Sequence, residues 1–146
     1  MRLWDASAVV PLLFEQKQTG VARKLHGADP EMAVWWGTTV ECHSAIARML
    51  RQQAIDRNGA AQGMERLHEL ETEWLEVEPS TGIRNEACRL LFAHPLCAAD
   101  ALQLAAVINL SREIGDRVPM ICFDDRLVEA ARFEQLAVVP HAKDVD

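Results

Sequence analysis

The chain has 146 residues, the length of one ordinary domain that can bury a substantial core. Apolar residues make up 49% of it and charged residues 25%, a globular balance that excludes an intrinsically disordered chain. The net charge of −7 argues against a nucleic-acid partner, because Lys and Arg contacts to phosphates supply much of the affinity of such proteins.

The four cysteines indicate an intracellular protein. No two of them form a CxxC pair, so we expect buried thiols rather than a disulfide framework. No apolar run reaches the roughly 20 residues that a membrane helix needs. Asp5 argues against a secretion signal, because a charged residue at this early position would interrupt the apolar segment of such a signal. The sequence therefore predicts a cytoplasmic protein without a membrane helix.

Apolar runs and helix-ending residues predict twelve elements. In chain order they are strand 2–5, helix 8–14, helix 18–26, strand 32–36, helix 39–54, helix 59–74, strand 75–77, helix 79–93, helix 98–114, strand 120–123, helix 125–133 and strand 137–139. Ser7 is the predicted N-cap of the first helix, Gly27 and Pro30 end the second, and Gly115 ends the nearly all-apolar helix 98–114. Short apolar strands that alternate with helices indicate a mainly parallel sheet covered on both faces. We therefore predict one three-layer α/β/α domain over residues 1–146.

Two acidic residues follow predicted strands directly. Asp5 ends the first strand, and Asp124 ends the strand over 120–123. In an open parallel sheet, ligands bind in a crevice beyond the carboxyl ends of the strands. The sequence leaves two interpretations open for each residue: it is part of a site in that crevice, or it caps the helix that follows.

Asp100 is predicted to face the apolar side of its helix. At 100° per residue it points between Leu104 and Val107. A buried carboxylate is costly unless it is paired, hydrogen-bonded or bound to a cation. The alternative is an acidic residue in the first helical turn, which the helix dipole favours.

Helical periodicity places Glu41 on the solvated side of the helix over 39–54. The predicted apolar stripe of this helix contains Val40, His43, Ile46, Ala47 and Leu50. Glu41 lies on the opposite side, together with Ser44 and Arg48. From this spacing alone, Glu41 is predicted to be a solvated residue and His43 a hydrogen-bonded core residue.

Other kinds of site find little support. The histidines are His26, His43, His68, His94 and His141. They share no metal-ligand spacing with the cysteines, which argues against zinc.

Cys122 lies in an apolar strand, so we expect burial rather than nucleophilic catalysis. Trp35 and Trp36 are expected to pack against the two faces of the sheet, with base stacking as the alternative. The sequence has no GxGxxG or GxxxxGKS/T motif, which excludes dinucleotide and P-loop sites.

Four blocks of the sequence resemble those of PIN domains. Residues 3–10 (LWDASAVV) resemble the family's opening, in which Asp, a small residue and Ser or Thr follow the first strand. Residues 40–48 (VECHSAIAR) resemble the second block, which carries a helical Glu. Residues 99–105 (ADALQLA) are similar to the most recognisable block, and residues 123–127 (FDDRL) to the fourth. The order and spacing of the blocks cover nearly the whole chain, which looks most like the VapC-type toxins of bacterial toxin–antitoxin pairs.

The resemblance implies a site and a reaction. Asp5, Glu41, Asp100 and Asp124 would converge to hold Mg²⁺ or Mn²⁺ and hydrolyse RNA, with Glu41 on the floor of an open cleft. A homodimer is also implied, together with a small antitoxin that blocks the cleft. The match departs from the family at Cys122, where Ser or Thr is usual and where a thiol is a weaker donor.

The register of the fourth block leaves Asp125 as an alternative ligand to Asp124, because the two acids are adjacent. One or two divalent cations would activate water and neutralise the charge of the carboxylate cluster. RNA could then approach this part of the protein despite the net negative charge of the whole chain. Arg48, Arg51 and Arg126 are the candidate cations for contact with RNA.

Two alternatives to a metal-dependent endoribonuclease remain at this stage. The first is a phosphoryl-transfer domain that uses Asp5 or Asp124 as the phosphate acceptor. Haloacid-dehalogenase-type phosphatases have a second Asp two residues after the first, where this chain has Ser7, and receiver domains have an acidic pair where only Asp5 is present. The second is a PIN-like binding module without catalytic activity, and the four retained carboxylates argue against it.

Overall fold

The structure, a computed structural model, describes residues 1–140, so His141 and the last part of the predicted 1–146 domain lie outside the described residues. The elements in chain order are β1 (Arg2–Trp4), α1 (Ala6–Leu13), α2 (Thr19–Ala28), β2 (Met32–Trp35), α3 (Thr38–Arg51), α4 (Arg57–Glu71), β3 (Leu75–Val77), α5 (Thr81–Ala93), α6 (Ala98–Ile114), β4 (Met120–Ile121), α7 (Asp125–Phe133) and β5 (Val138–Val139). All twelve predicted elements are present, and no described helix is long and apolar enough to cross a membrane.

The five strands form one parallel sheet in the order β3-β2-β1-β4-β5. Leu3 of β1 is in register with Ala33 of β2 on one side and with Met120 of β4 on the other. The strand order reverses between β1 and β4, because the chain builds outward from β1 in one direction and then returns to its other side. This reversal opens a crevice at the carboxyl ends of β1 and β4.

Apolar side chains cover both faces of the sheet, as successive residues of a strand point to opposite sides. Leu3 and Met120 pack into a core with α5, α6 and α7. Trp4 and Ile121 pack into a second core with α1, α2, α3 and α4. The three-layer α/β/α prediction is therefore confirmed.

Helix α6 is central, as its composition predicts. Eight of its residues are buried: Ala101, Gln103, Leu104, Ala105, Ala106, Val107, Ile108 and Leu110. The helix ends at Gly115, which has a φ of 75° in the left-handed region that glycine adopts without steric strain.

Three local predictions were wrong. The four thiols were expected to be buried, but among them Cys88 and Cys97 are exposed. Asp5, not Ser7, is the N-cap of α1, because the Asp5 carboxylate accepts a hydrogen bond from the Ser7 backbone N–H and the helix begins at Ala6. Trp36 does not pack on the sheet: β2 ends at Trp35, and the Trp36 side chain beyond it is 51% exposed. Trp35 itself is buried as predicted.

Candidate functional site

A cleft of about 500 Å³ opens where β1 and β4 end, at the reversal of strand order. The acidic residues that line it are Asp5, Glu41, Asp100 and Asp124. The structure therefore brings all four predicted residues to one cavity. They come from four places in the chain: the ends of β1 and β4, the first turn of α3 and the first turn of α6.

Asp5 is almost completely buried, with 4% of its surface exposed. Its Oδ2 accepts a hydrogen bond from the Ser7 backbone N–H at 3.0 Å, which caps α1. Burial raises the pKa of Asp5, the hydrogen bonds from Ser7 and Cys122 oppose that rise, and the negative charge of Asp100 adds to it. Asp5 therefore caps α1 and also lines the cleft.

Asp124 combines the same two roles at the end of β4. Its Oδ1 accepts from the backbone N–H groups of Arg126 at 3.0 Å and Leu127 at 3.3 Å, which caps α7. Asp124 lines the cleft, whereas its neighbour Asp125 is exposed and lines a separate surface hollow. The geometry thus favours Asp124 over Asp125 as the fourth acid of the cluster.

Asp100 lies in the first turn of α6, half-buried at the rim of the cleft. Its Oδ2 accepts a hydrogen bond from the Cys97 thiol at 3.1 Å. The residue faces the cleft rather than the apolar core that holds Leu104 and Val107. It is both an acidic first-turn residue and a member of the carboxylate cluster.

Glu41 is half-buried and lines the cleft together with Ser44 and Arg48. The prediction that it is simply solvated was wrong, because the side of α3 opposite the core forms a wall of the cleft. The prediction that His43 is a core residue was also wrong: His43 is exposed, and its Nδ1 lies 2.7 Å from the Thr39 carbonyl oxygen.

The apolar stripe of α3 was misplaced because its buried residues are not its most hydrophobic ones. The buried side chains are Thr38, Cys42 and Ile46. Val40, which periodicity placed on the stripe, is 66% exposed. Polar Thr38 and small Cys42 therefore occupy core positions that a hydrophobicity pattern does not identify.

The charges of the cluster act on one another. The pKa of Glu41 is raised from 4.5 to about 7, first by burial. A hydrogen bond from Gln103 lowers this pKa, while repulsion by Asp5 and Asp100 raises it further. The negative charges of Asp5 and Asp100 are thus close enough to disfavour ionisation of Glu41 in the absence of a cation.

Two site residues were missed by the sequence reasoning. Gln103 and Thr38 are both fully buried, and Gln103 donates hydrogen bonds to Thr38 and to Glu41. A possible signal was present for Gln103, since it is a polar residue within a nearly all-apolar helix and follows Asp100 by one turn. Thr38 gave no comparable signal.

Cys122 lies between the ends of β1 and β4. Its Sγ accepts a hydrogen bond from the Asp124 backbone N–H at 3.3 Å and lies 3.6 Å from Asp5 Oδ2. Burial raises the pKa of this thiol, which is the opposite of what a nucleophilic cysteine needs. The residue therefore contacts both strand ends, with a thiol where PIN domains, which the sequence resembles, usually have Ser or Thr.

Of the three arginines predicted to contact RNA, only one lines the cleft. Arg48 lines the cleft and is the one basic residue among the described residues that do so. Arg126 lines a different hollow beside His94 and Phe133. Arg51 is exposed in the last turn of α3 and is not among the cleft-lining residues of the described chain.

The chemistry of the four carboxylates fits a hard divalent cation, since Mg²⁺ and Mn²⁺ prefer oxygen ligands. In Asp5 and Asp124, one oxygen is held by the backbone, and within residues 1–140 no hydrogen bond engages the other. Over the same residues, no group of three or more His, Cys, Asp or Glu side chains is spaced to hold an ion. The four carboxylates therefore have the right ligand atoms for Mg²⁺ or Mn²⁺, but their side chains would have to move closer to one another to bind the ion.

Comparisons with solved structures identify proteins that have a similar fold. Neither the models of protein families nor the curated proteins compared with this sequence gave a match. Among solved structures, VapC20 of Mycobacterium tuberculosis, a toxin that cleaves the sarcin–ricin loop, is similar with a TM-score of 0.65 at 17% identity, over 89% of this chain and 95% of that one. FitAcB from Neisseria gonorrhoeae is similar with a TM-score of 0.63 at 17% identity, over 94% of this chain and 96% of that one.

A toxin–antitoxin complex from Klebsiella pneumoniae gives a TM-score of 0.57 at 16% identity, over 85% of this chain and 87% of that one. At such identities the likeness establishes the fold and leaves the activity to be argued from the site. The chain has the fold of VapC-like PIN domains, as its four sequence blocks predicted.

Proposed function

We propose that the protein is a metal-dependent endoribonuclease that acts as the toxin of a toxin–antitoxin pair. The observation that carries the proposal is the convergence of Asp5, Glu41, Asp100 and Asp124 in one cleft at the reversal of strand order. The toxin role draws its support from the similar structures, two of which are described as toxins or toxin–antitoxin complexes.

The carboxylates divide the work of holding a cation. Asp5 and Asp124 are fixed to the backbone at two strand ends, so their cleft-facing oxygens are preorganised. Glu41 and Asp100 approach from two helices. When bound, Mg²⁺ or Mn²⁺ supplies an activated water and stabilises charge on the phosphoryl oxygens. With its pKa raised to about 7, Glu41 is partly protonated at neutral pH in the metal-free protein, and it must be ionised to serve as a ligand.

Arg48 is placed to contact the phosphate of a bound RNA, because it lines the cleft from the same side of α3 as Glu41. A guanidinium suits this task, as it presents several donors to phosphate oxygens at once. Because the chain has a net charge of −7, the contact with Arg48 and the bound cation would supply the main favourable electrostatic interactions with RNA.

The first prediction concerns metal. Mg²⁺ or Mn²⁺ should raise the melting temperature and support cleavage of total RNA, and EDTA should abolish that cleavage, because the carboxylates repel one another without a cation. The measurement is a thermal melt beside an RNA cleavage assay, each with and without the ion. Asp125→Asn is the matched control, since Asp125 is exposed outside the cleft, and it should respond to metal as the wild type does.

Undiminished cleavage in EDTA would contradict the mechanism, and so would a requirement for Zn²⁺, because the proposed ligands are all oxygens. The absence of a preformed metal-binding group among residues 1–140 favours the catalytically silent binding module as the second candidate. A protein that gains no thermal stability from either ion and cleaves no RNA would contradict the endoribonuclease proposal and favour that alternative.

The second prediction concerns the partner. A small antitoxin encoded beside this chain should bind it and fill the acidic cleft, with an Arg side chain paired to the carboxylates. Induced expression of the protein alone should arrest growth, and co-expression of the neighbouring small protein should restore it. Co-purification of the two proteins provides the direct measurement. Harmless expression, together with no small partner in a pull-down from the native host, would argue for a PIN-like protein outside toxin–antitoxin systems.

A further inference from the structure

A buried amide joins the two helices that carry Glu41 and Asp100. Gln103 is the single polar residue among the eight buried residues of α6. Its Nε2 donates one hydrogen bond to Thr38 Oγ1 at 2.9 Å and another to Glu41 Oε2 at 2.5 Å. These contacts span more than 60 positions of sequence and connect α6 to the first turn of α3.

Packing alone does not account for an amide at this position. The Gln103 Oε1 is buried and has no hydrogen-bond partner within residues 1–140. A buried acceptor without a partner destabilises a fold, whereas Leu or Met would fill the same volume without that cost. The feature that an apolar side chain cannot supply is the pair of N–H donors directed at Thr38 and Glu41.

Each of the other acids of the cleft accepts a hydrogen bond from a neighbour in sequence, and Asp5 accepts a second one from the distant Cys122 thiol. The Ser7 backbone N–H holds Asp5, the Arg126 backbone N–H holds Asp124, and the Cys97 thiol holds Asp100. Within the described residues, the hydrogen bond to the Glu41 carboxylate comes from a distant helix, through Gln103. Since Gln103 follows Asp100 by one turn, the helix that presents Asp100 also donates the hydrogen bond to Glu41.

We propose that Gln103 is a positioning residue that sets the place of the Glu41 carboxylate relative to Asp5 and Asp100, with Thr38 fixing the orientation of the amide. The Thr38 hydroxyl occupies one donor of the amide, which leaves the other directed at Glu41 Oε2. The role in cation binding rests on the function proposed above, whereas the hydrogen-bonded arrangement stands independently of it.

Gln103→Leu tests the role in cation binding. Loss of the amide should weaken Mn²⁺ binding about 10- to 100-fold, the range seen when groups that orient metal ligands are removed. The kcat for RNA cleavage should fall by a similar factor, while the KM for RNA stays within about threefold because Arg48 is untouched. Thr38→Val should give a smaller loss of the same kind, since Gln103 then keeps its contact with Glu41 but loses its orientation.

Gln62→Leu is the matched control, because Gln62 is exposed on α4, away from the cleft. This variant should keep wild-type Mn²⁺ affinity and kcat. A Gln103→Leu protein that binds Mn²⁺ and turns over RNA as the wild type does, scored on folded protein, would overturn the proposal. So would one that is merely less stable, with metal affinity and kcat per folded molecule unchanged.

A spectroscopic test covers the case in which Gln103→Leu does not fold, and it needs no metal or RNA. In ¹⁵N-labelled wild-type protein, the side-chain NH₂ protons of Gln103 should exchange slowly with water. In Glu41→Ala they should shift and exchange faster, because the carboxylate acceptor is gone. Unchanged Gln103 resonances in Glu41→Ala would overturn the proposed contact. A wild-type protein that shows the contact but neither binds Mn²⁺ nor cleaves RNA would instead refute the proposed function and, with it, the role of Gln103 in cation binding.

Discussion

Asp100→Asn should lower RNA cleavage by at least about 100-fold and leave the metal-free protein as stable as the wild type or more so. The loss of activity follows from the cleft, where Asp100 is one of four carboxylates available to a cation. An interaction with a catalytic metal supplies several kcal/mol of transition-state stabilisation, so removal of one ligand charge costs orders of magnitude in rate.

The stability part of this prediction follows from charge repulsion. The negative charge of Asp100 contributes to the raised pKa of both Asp5 and Glu41, so its removal relieves unfavourable interactions in the metal-free protein. The loss of a first-turn acid at the start of α6 acts in the opposite direction, by about 0.3–1 kcal/mol. We expect relief of repulsion to match or exceed this loss, while the stabilisation by Mn²⁺ shrinks.

Asp125→Asn provides the matched control for this experiment. Asp125 is also an acidic first-turn residue, on α7, but it is exposed and lies outside the cleft. Its substitution should cost the same small helix-dipole term and leave cleavage and metal response unchanged. Thermal melts with and without Mn²⁺, run beside the cleavage assay, compare the two variants. A destabilised but fully active Asp100→Asn protein would refute the assignment of Asp100 to the site.

Sequence signals were sufficient where an element has a residue that ends it sharply. The bounds of α6 and α7 match the predicted ranges 98–114 and 125–133. Gly115 ends the first of these, and the Asp124 carboxylate caps the second. The start of α1 was misplaced because Asp5 and Ser7 are both good N-cap residues, and only the folded backbone distinguishes between them.

The candidate site was predictable where its acids follow strands, and less so where they lie on helices. Asp5 and Asp124 stand at strand ends, and the topology brings those ends together. Periodicity misplaced Glu41, because a helix face that lines a cleft carries polar residues just as a solvent-exposed face does, and the sequence pattern cannot distinguish the two. Gln103 is conspicuous in sequence as a polar residue in a nearly all-apolar helix, but its contacts with Thr38 and Glu41 could not be predicted, because they depend on how α3 and α6 meet in space.

The affinity for Mn²⁺ should rise about 100-fold between pH 5 and pH 7, while the metal-free protein loses stability over the same range. Both expectations rest on the raised pKa of Glu41, which is about 7, and on the raised pKa of Asp5. Isothermal titration with Mn²⁺ at several pH values measures the first effect. Thermal or urea unfolding in EDTA measures the second.

The sign of the stability effect follows from proton linkage. Between 4.5 and about 7, the folded protein binds a proton at Glu41 that the unfolded chain has released, so stability falls as the pH rises through this window. Asp5 acts in the same direction. The lowered pKa values of Asp29 and Glu134 act in the opposite direction, but their contribution is lost only as the pH falls below about 4.5. The cleft therefore dominates the pH dependence between pH 5 and pH 7.

The metal effect has the opposite sign, because a cation must displace the proton that Glu41 retains. Each displaced proton lowers the apparent affinity about tenfold per pH unit below the pKa of its group. Glu41→Gln removes this competition and should flatten both profiles, at the cost of weaker binding at neutral pH. A metal-free protein whose stability rises from pH 5 to pH 7, or Mn²⁺ affinity that does not change with pH, would show that the carboxylates are not coupled in the cleft as described.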